Sequence, residues 1–228
     1  GGDNMMGAIG TGNVVPGVIT ASLGTSGTLY GVSGQPAIDT GGEVAAFCDS
    51  TDQWLPLVCT MNVTVVTEQV RKLFGLDLEG LENAVAGSEP GAGGISFLPY
   101  LNGERTPNLP EGSGVMHGLR VDNMSQSHLA RAAMEGATLG LAYGLESFRG
   151  MGIIPSEIRL TGGGSNSGQW RQIAADVFNT PVVMLSTAEG AGLGAAIQAA
   201  YCSENGVAGY TELCSRFVAL DENTRCEP

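Results

Sequence analysis

The chain has 228 residues, a length that suits one large domain or two modest ones, each able to bury a core. Hydrophobic residues make up 43% of the chain and charged residues 14%, which is too apolar for a disordered protein, and no apolar run is long enough to cross a bilayer. The net charge is −13 and Lys72 is the one lysine, so neither a nucleic-acid backbone nor an anionic membrane is expected as a partner.

The N-terminal quarter of the sequence predicts short strands joined by turns. Residues 18–23 are rich in β-branched side chains and are followed by a glycine turn, Gly24–Gly27, so we expect a hairpin whose second strand runs to Tyr30. Two further strands are expected at 44–48 and 54–60. This part of the chain therefore predicts a sheet.

Two helices, a strand and a long loop are expected next. The helices cover 63–74 and 78–85, each ended by a glycine, and the strand covers 95–98. Gly, Pro, Asn and Glu fill residues 100–118, and loops of this length are usually functional. The adjacent charges Glu104 and Arg105 are predicted to anchor that loop or to contact another domain.

A long helix follows, with an apolar stripe at every fourth position from Leu129 to Leu145. Gly136, Gly140 and Gly144 form a second stripe at the same spacing. Each glycine costs a helix about 1 kcal/mol, so three of them predict that a neighbouring element packs closely against this helix.

The last third of the chain alternates strands, glycine-rich turns and helices. Strands are expected at 158–160 and 182–185, followed by turns at Gly162–Gly164 and Gly190–Gly194. Each turn leads into a helix, and the first of these helices carries an apolar face that would dock on a sheet. The alternation is typical of an α/β fold.

The three glycine turns together predict phosphate or nucleotide handling, although any one alone is more simply a tight turn. Backbone N–H groups and helix N-termini bind anions without cationic side chains, and Mg²⁺ would supply the missing positive charge. The turn at 190–194 also fits the dinucleotide pattern Gly-x-Gly-x-x-Ala. Residues 186–189 separate it from the preceding strand, so a Rossmann oxidoreductase is the weaker alternative.

Asp3 follows two glycines and precedes Asn4 at the start of a predicted helix. The residues alone allow two interpretations, a helix cap or a general base held beside a substrate hydroxyl. The five cysteines lack a CxxC pair and the two histidines lack metal-ligand spacing, so no protein metal site is predicted. Such a cysteine set favours reduced thiols in a cytoplasm.

The order of the sequence blocks resembles the C-terminal half of the FGGY family of carbohydrate kinases, over nearly the whole chain. The blocks are Gly2-Asp3-Asn4, Ser-Leu-Gly-Thr-Ser-Gly at 22–27, Phe-Leu-Pro-Tyr-Leu-Asn-Gly-Glu-Arg-Thr-Pro at 97–107, Arg-Ala-Ala-Met-Glu-Gly at 131–136, Thr-Gly-Gly-Gly-Ser at 161–165 with Trp-Arg-Gln at 170–172 and Ala-Asp at 175–176, and Leu-Gly-Ala-Ala at 193–196. The block at 97–107 points to the ketose-phosphorylating members rather than to glycerol kinases.

This resemblance implies an α/β fold of the actin-like ATPase (ribonuclease H-like) type, a mixed sheet flanked by helices. Residues 1–228 would form the C-terminal, nucleotide-binding domain. The chain begins at Gly1 rather than at a methionine, so it is expected to be a processed or truncated piece or a fragment of a longer reading frame. The resemblance implies an N-terminal sugar-binding domain that precedes these residues in the family. The implied reaction is Mg²⁺-dependent transfer of the ATP γ-phosphate to a hydroxyl of a ketose, with D-xylulose the expected sugar.

The resemblance also assigns roles to residues. Asp3 is the implied catalytic base and sugar contact, and Asn4 is a second sugar contact. The implied nucleotide contacts are Gly24, Thr25 and Ser26 in a phosphate loop, Gly103 in the long loop, and Gly162, Gly163, Gly164 and Ser167 around adenosine. The alternative is an actin-like nucleotide-binding module without kinase activity, or a kinase remnant. The apolar composition and the glycine-striped helix would suit a homodimer.

Overall fold

The protein is described by a computed structural model, which covers residues 1–187, 190–203 and 207–228. These residues form both strands and helices. The strands are β1 (Val18–Leu23), β2 (Gly27–Gly31), β3 (Ala45–Cys48), β4 (Trp54–Thr60), β5 (Ser96–Leu98), β6 (Val115–His117), β7 (Glu157–Thr161), β8 (Val182–Leu185) and β9 (Leu220–Cys226). The helices are α1 (Asp3–Gly10), α2 (Thr64–Leu73), α3 (Leu78–Ala86), α4 (Gln126–Gly150), α5 (Gly168–Phe178), α6 (Gly190–Ser203) and α7 (Tyr210–Phe217).

Seven strands form one sheet in the order β3-β4-β2-β1-β7-β8-β9. The central strands β1, β7 and β8 run parallel, and their neighbours on both sides are antiparallel. The predicted mixed sheet flanked by helices is therefore confirmed. Parallel strands place their carboxyl ends at one edge, which is where open α/β sheets bind ligands.

The two faces of the sheet are covered by different helices. Ile19, Leu29 and Val58 belong to the larger core, which the sheet shares with α2, α3, α4 and α5. Tyr30 and Leu57 point to the opposite face, where α1 packs. Neighbouring residues of a strand face opposite sides, so each strand contributes to both cores.

The glycine stripe of α4 fulfils its predicted role at two of its three positions. A Cβ atom added at Gly136 would overlap the carbonyl oxygen of Phe97, and one added at Gly144 would overlap the Val58 side chain. Gly140 has nothing within 4 Å of such an atom, so the prediction is wrong there. Close packing against β5 and β4 thus explains the first two glycines, because a larger residue would push these strands away from the helix.

Three elements differ from the sequence-based prediction. The loop expected at 100–118 contains β6 at its end, which pairs with β5 in a two-stranded sheet. The helix α7 and the strand β9 were not predicted at all. The strand β9 includes Asp-Glu-Asn, residues that strands disfavour, and it forms only because β8 offers it a free edge.

Candidate active site

A cavity of about 550 Å³ opens between the helices on the side of the larger core, a size typical of small-molecule sites. Its walls come from α2, α3, α4, the 3₁₀ turn that follows β7, and the start of α5. The lining residues are Thr64, Thr67, Glu68, Leu78, Glu79, Leu81, Glu82, Met134, Gly163, Gly164, Asn166, Ser167 and Trp170. Trp170 is buried and donates its indole N–H to Thr138 Oγ1 at 2.9 Å, which fixes that wall of the cavity.

The glycine turn after β7 forms one wall, and its three glycines have different surroundings. A Cβ atom at Gly162 would lie 2.7 Å from the carbonyl carbon of Leu23, and Gly162 has a φ of +83° that favours glycine. At Gly164 the added atom would lie 2.9 Å from Leu23 Cβ. At Gly163 nothing lies within 4 Å, so this glycine leaves open space beside the cavity.

Ser167 ends this turn and caps α5. Its Oγ accepts the backbone N–H of Trp170 at 3.0 Å and donates to the Glu82 carboxylate, which arrives from α3. Glu82 Oε1 also accepts the N–H of Gln169 at 2.8 Å. The wall that contains Ser167 is therefore held to α3 by a carboxylate that bridges two donors.

The charge of the cavity restricts what it can bind. Among the residues that the structure describes, its lining includes the carboxylates Glu68, Glu79 and Glu82 and no lysine or arginine. Arg71 binds Glu68 from outside the lining at 2.7 Å, and this hydrogen bond lowers the pKa of the Glu68 carboxyl. A cavity with these side chains suits an uncharged, partly apolar group such as a nucleoside and would repel phosphates.

The turn at Gly24–Ser26 lies next to this wall. It follows β1, whose neighbour β7 ends in the Gly162 turn, and a Cβ atom at Gly162 would lie 3.0 Å from Gly24 N. Gly24 O accepts the N–H of Thr64 at 2.9 Å, so the turn also contacts the start of α2. Thr25 and Ser26 are exposed to solvent. Two of the three predicted glycine turns are thus side by side at the carboxyl ends of parallel strands.

The predicted turn at Gly190–Gly194 is wrong, because these residues already belong to α6. A Cβ atom at Gly10 would overlap Gly190 O, and one at Gly194 would overlap Met6 O. The glycines therefore allow α1 and α6 to cross with their backbones in contact. Of the residues before α6, positions 188–189 lie outside the described part of the chain.

The local structure requires a glycine at position 103. Its φ is +65°, and a Cβ atom there would overlap the carbonyl oxygen of Pro110. Its carbonyl accepts Asn62 Nδ2 at 2.7 Å, just before α2 begins. Gly103 lies beside the start of α2 and outside the cavity lining.

Glu104 anchors the long loop, as predicted. It is 4% exposed, and its carboxylate accepts the N–H of Met61 at 2.6 Å and Asn62 Nδ2 at 2.9 Å. Its other partner is the backbone N–H of Arg105 at 2.8 Å. The anchor therefore joins the loop to the segment between β4 and α2.

Asp3 is exposed in the first turn of α1, with Gly2 in the capping position. Its Oδ1 accepts the N–H of Asn4 at 2.9 Å, so the carboxylate does not cap the helix in the usual way. Burial raises the pKa of Tyr30 beyond its usual range, a hydrogen bond with Thr20 opposes this, and the charge of Asp3 adds to it. Asp3 lies on the helix that covers the opposite face of the sheet from the cavity.

Sequence analysis missed the residues that α2 and α3 bring to the cavity, above all Glu82. Glu82 is 85 residues from Ser167 in the chain, and a single carboxylate on an amphipathic helix carries no motif. The described residues contain no group of three or more His, Cys, Asp or Glu side chains that could hold a metal ion. No helix in the described part of the chain is long and apolar enough to span a membrane.

Residues 19–203 match the C-terminal domain of the FGGY family of carbohydrate kinases. The chain is 47% identical to the xylulose kinase of Haemophilus influenzae over all 228 residues, which is 46% of that protein. It is 42% identical to the xylulose kinase of Streptomyces coelicolor over 87% of this chain and 40% of that protein. The chain thus spans about half the length of the curated relatives it matches.

Comparison with solved structures also supports a carbohydrate kinase fold. The crystal structure of xylulose kinase from Bifidobacterium adolescentis matches 100% of this chain and 44% of its own, with a TM-score of 0.89 and 35% identity. The expected actin-like ATPase fold is therefore confirmed. On the family match and on its relatives, the chain belongs to the FGGY family of carbohydrate kinases.

Proposed function

We propose that this chain is the nucleotide-binding, C-terminal domain of an ATP-dependent sugar kinase that phosphorylates a hydroxyl of a ketose, with D-xylulose as its substrate. The observation that carries the proposal is a cavity lined by Gly163, whose glycine turn lies next to the turn at Gly24–Ser26. The chain also belongs to a carbohydrate kinase family. The choice of sugar follows the names of the most similar relatives and the block at 97–107. The sugar would be held mainly by an N-terminal domain of the same protein.

The cavity and the turns would receive different parts of ATP. Adenosine is uncharged and fits between Gly163, Gly164 and Ser167, where three carboxylates repel phosphates. The phosphates would then extend toward the exposed Gly24–Ser26 turn, where backbone N–H groups and the hydroxyls of Thr25 and Ser26 can donate to them. Gly103 would approach the nucleotide from the long loop, where its carbonyl accepts Asn62 Nδ2 beside the start of α2.

Asp3 would act as the general base. Its carboxylate is exposed, so it can accept the proton of the sugar hydroxyl that attacks the γ-phosphorus. Asn4 would hold the same sugar through its amide. Phosphoryl transfer requires of the protein chiefly positioning and stabilisation of charge, which these residues and the backbone donors would supply.

Mg²⁺ would be held mainly by the phosphates and by water, and it would neutralise the negative charge that the phosphates carry. This suits a turn whose donors are backbone N–H groups and hydroxyls and whose side chains carry no positive charge. The use of ATP is consistent with a protein of the cytoplasm, which is where we place it.

The test is sugar-dependent release of ADP by the intact protein. D-Xylulose should stimulate ADP formation at least tenfold over the rate without sugar, with D-ribulose and glycerol as comparison acceptors. Stimulation by glycerol alone would assign a different sugar class. Nucleotide binding with no stimulation by any ketose or polyol would overturn the kinase proposal in favour of a non-catalytic nucleotide-binding module.

A further inference from the structure

Glu82 joins two elements that are far apart in the sequence. It projects from α3, and its carboxylate accepts both the hydroxyl of Ser167 and the backbone N–H of Gln169. Ser167 is the N-cap residue of α5, and Gln169 lies in the first turn, where N–H groups have no partner within the helix. A carboxylate also has a favourable charge at a helix N-terminus. The contact is therefore both a cap and a link between two walls of the cavity.

A second charged side chain also contacts this wall. Arg171 Nη1 donates to the carbonyl oxygen of Ser165 at 2.9 Å and to that of Asn166 at 3.2 Å. These carbonyls lie at the end of the 3₁₀ turn that contains Gly163. The end of the turn and the start of α5 are thus held by a carboxylate that accepts from Ser167 Oγ and Gln169 N and by a guanidinium that donates to two carbonyls of the turn.

We infer that Glu82 is a positioning residue for the nucleotide, which fixes the Gly163 wall against α3 and so keeps the adenosine cavity at the required width. The inference rests on the proposed function. Glu82 lies away from Asp3, because α1 covers the opposite face of the sheet. Its loss should therefore weaken nucleotide binding and leave the chemical step almost unchanged.

The test compares Glu82→Ala and Glu82→Gln in the intact protein. Glu82→Ala removes both acceptors, so the KM for ATP and the Kd for ADP should rise about tenfold or more, with kcat and the KM for the sugar within twofold. Glu82→Gln keeps an oxygen for Gln169 N and an amide that can bind Ser167 Oγ, so it should recover most of the ADP affinity. The matched control is Glu89→Ala, which removes an exposed carboxylate just after the same helix and outside the cavity lining. It should change the Kd for ADP by less than twofold.

Amide hydrogen exchange measured without nucleotide tests the link itself. The amides of Gln169 and Trp170 should exchange at least tenfold faster in Glu82→Ala than in the parent protein, and at the parent rate in Glu89→Ala. An unchanged Kd for ADP in Glu82→Ala would overturn the inference. A fall in kcat and a rise in the KM for the sugar as large as the rise in the KM for ATP would overturn it as well. If the parent protein binds ADP but shows no sugar-dependent turnover, the proposed kinase function fails, while the ADP and exchange measurements still decide the role of Glu82.

Discussion

The glycines at the crossing of α1 and α6 and those in the turn after β7 look alike in the sequence, but they have different roles in the structure. At the crossing of α1 and α6, a Cβ atom on Gly10 or Gly194 would overlap a backbone carbonyl of the other helix. At the turn after β7, Gly163 faces open space beside the cavity. The first group is required by packing within the protein, and Gly163 is free for a ligand.

The difference shows that a glycine pattern does not identify a phosphate site by itself. The residues at 190–194 fit a dinucleotide pattern, yet they form the start of a helix whose partner is another helix. The turn at 162–164 does not fit that dinucleotide pattern, yet its middle glycine lines a cavity. The following predictions separate a glycine that stabilises the fold from one that admits a ligand.

The largest effect is expected from Asp3→Asn on the α1 side of the sheet. Loss of a general base should lower kcat by about 10²–10⁴-fold. The Kd for ADP should stay within twofold, because Asp3 lies across the sheet from the cavity. Steady-state kinetics with calorimetry of ADP binding checks both values. Turnover that persists within tenfold of the parent would show that Asp3 is not the base.

Substitution at the helix crossing should mainly affect stability. Gly194→Ala places a methyl group against Met6 O, and the backbone cannot yield easily, so we expect a loss of about 3 kcal/mol in the free energy of unfolding. Urea denaturation measures it. A loss below about 0.5 kcal/mol would mean that α1 and α6 are not in close backbone contact.

In the turn after β7, substitution of Gly163 should affect nucleotide binding rather than stability. Gly163→Ala meets no atom within 4 Å, so the free energy of unfolding should change by less than about 0.5 kcal/mol. The added methyl group would narrow the cavity, and the KM for ATP should rise about tenfold, which corresponds to about 1.4 kcal/mol. Gly164→Ala is the control, since its methyl group would press on Leu23 and should cost stability. Unchanged ATP affinity in Gly163→Ala would place the nucleotide elsewhere.

The smallest effect is expected in α4. Gly140 has open space around it, and alanine is the better helix former, so Gly140→Ala should raise the free energy of unfolding by up to about 1 kcal/mol. Gly144→Ala, one turn later, would overlap Val58 and should be destabilising instead. Thermal unfolding of the two variants side by side checks the sign. Destabilisation by both would indicate that α4 packs against something at Gly140 as well.

Much of the secondary structure could be predicted because its signals are local. The hairpin of β1 and β2, the strand β4 and the helices α2 and α3 lie within one or two residues of the expected positions. Side-chain periodicity and terminal glycines are properties of neighbouring residues. The strand β9 could not be predicted, because its polar sequence becomes a strand only by pairing with β8.

The family, the α/β alternation and the glycine-rich turns at 24–27 and 162–164 could be read from patterns of residues close together in the chain. The crossing of α6 with α1 at Gly190–Gly194 and the position of Gly163 beside a cavity became visible only in the folded chain. Only the tertiary structure brought Glu82 to Ser167 across 85 residues. The physical reason is that sterics and hydrogen bonding between distant segments depend on distances that no local pattern contains.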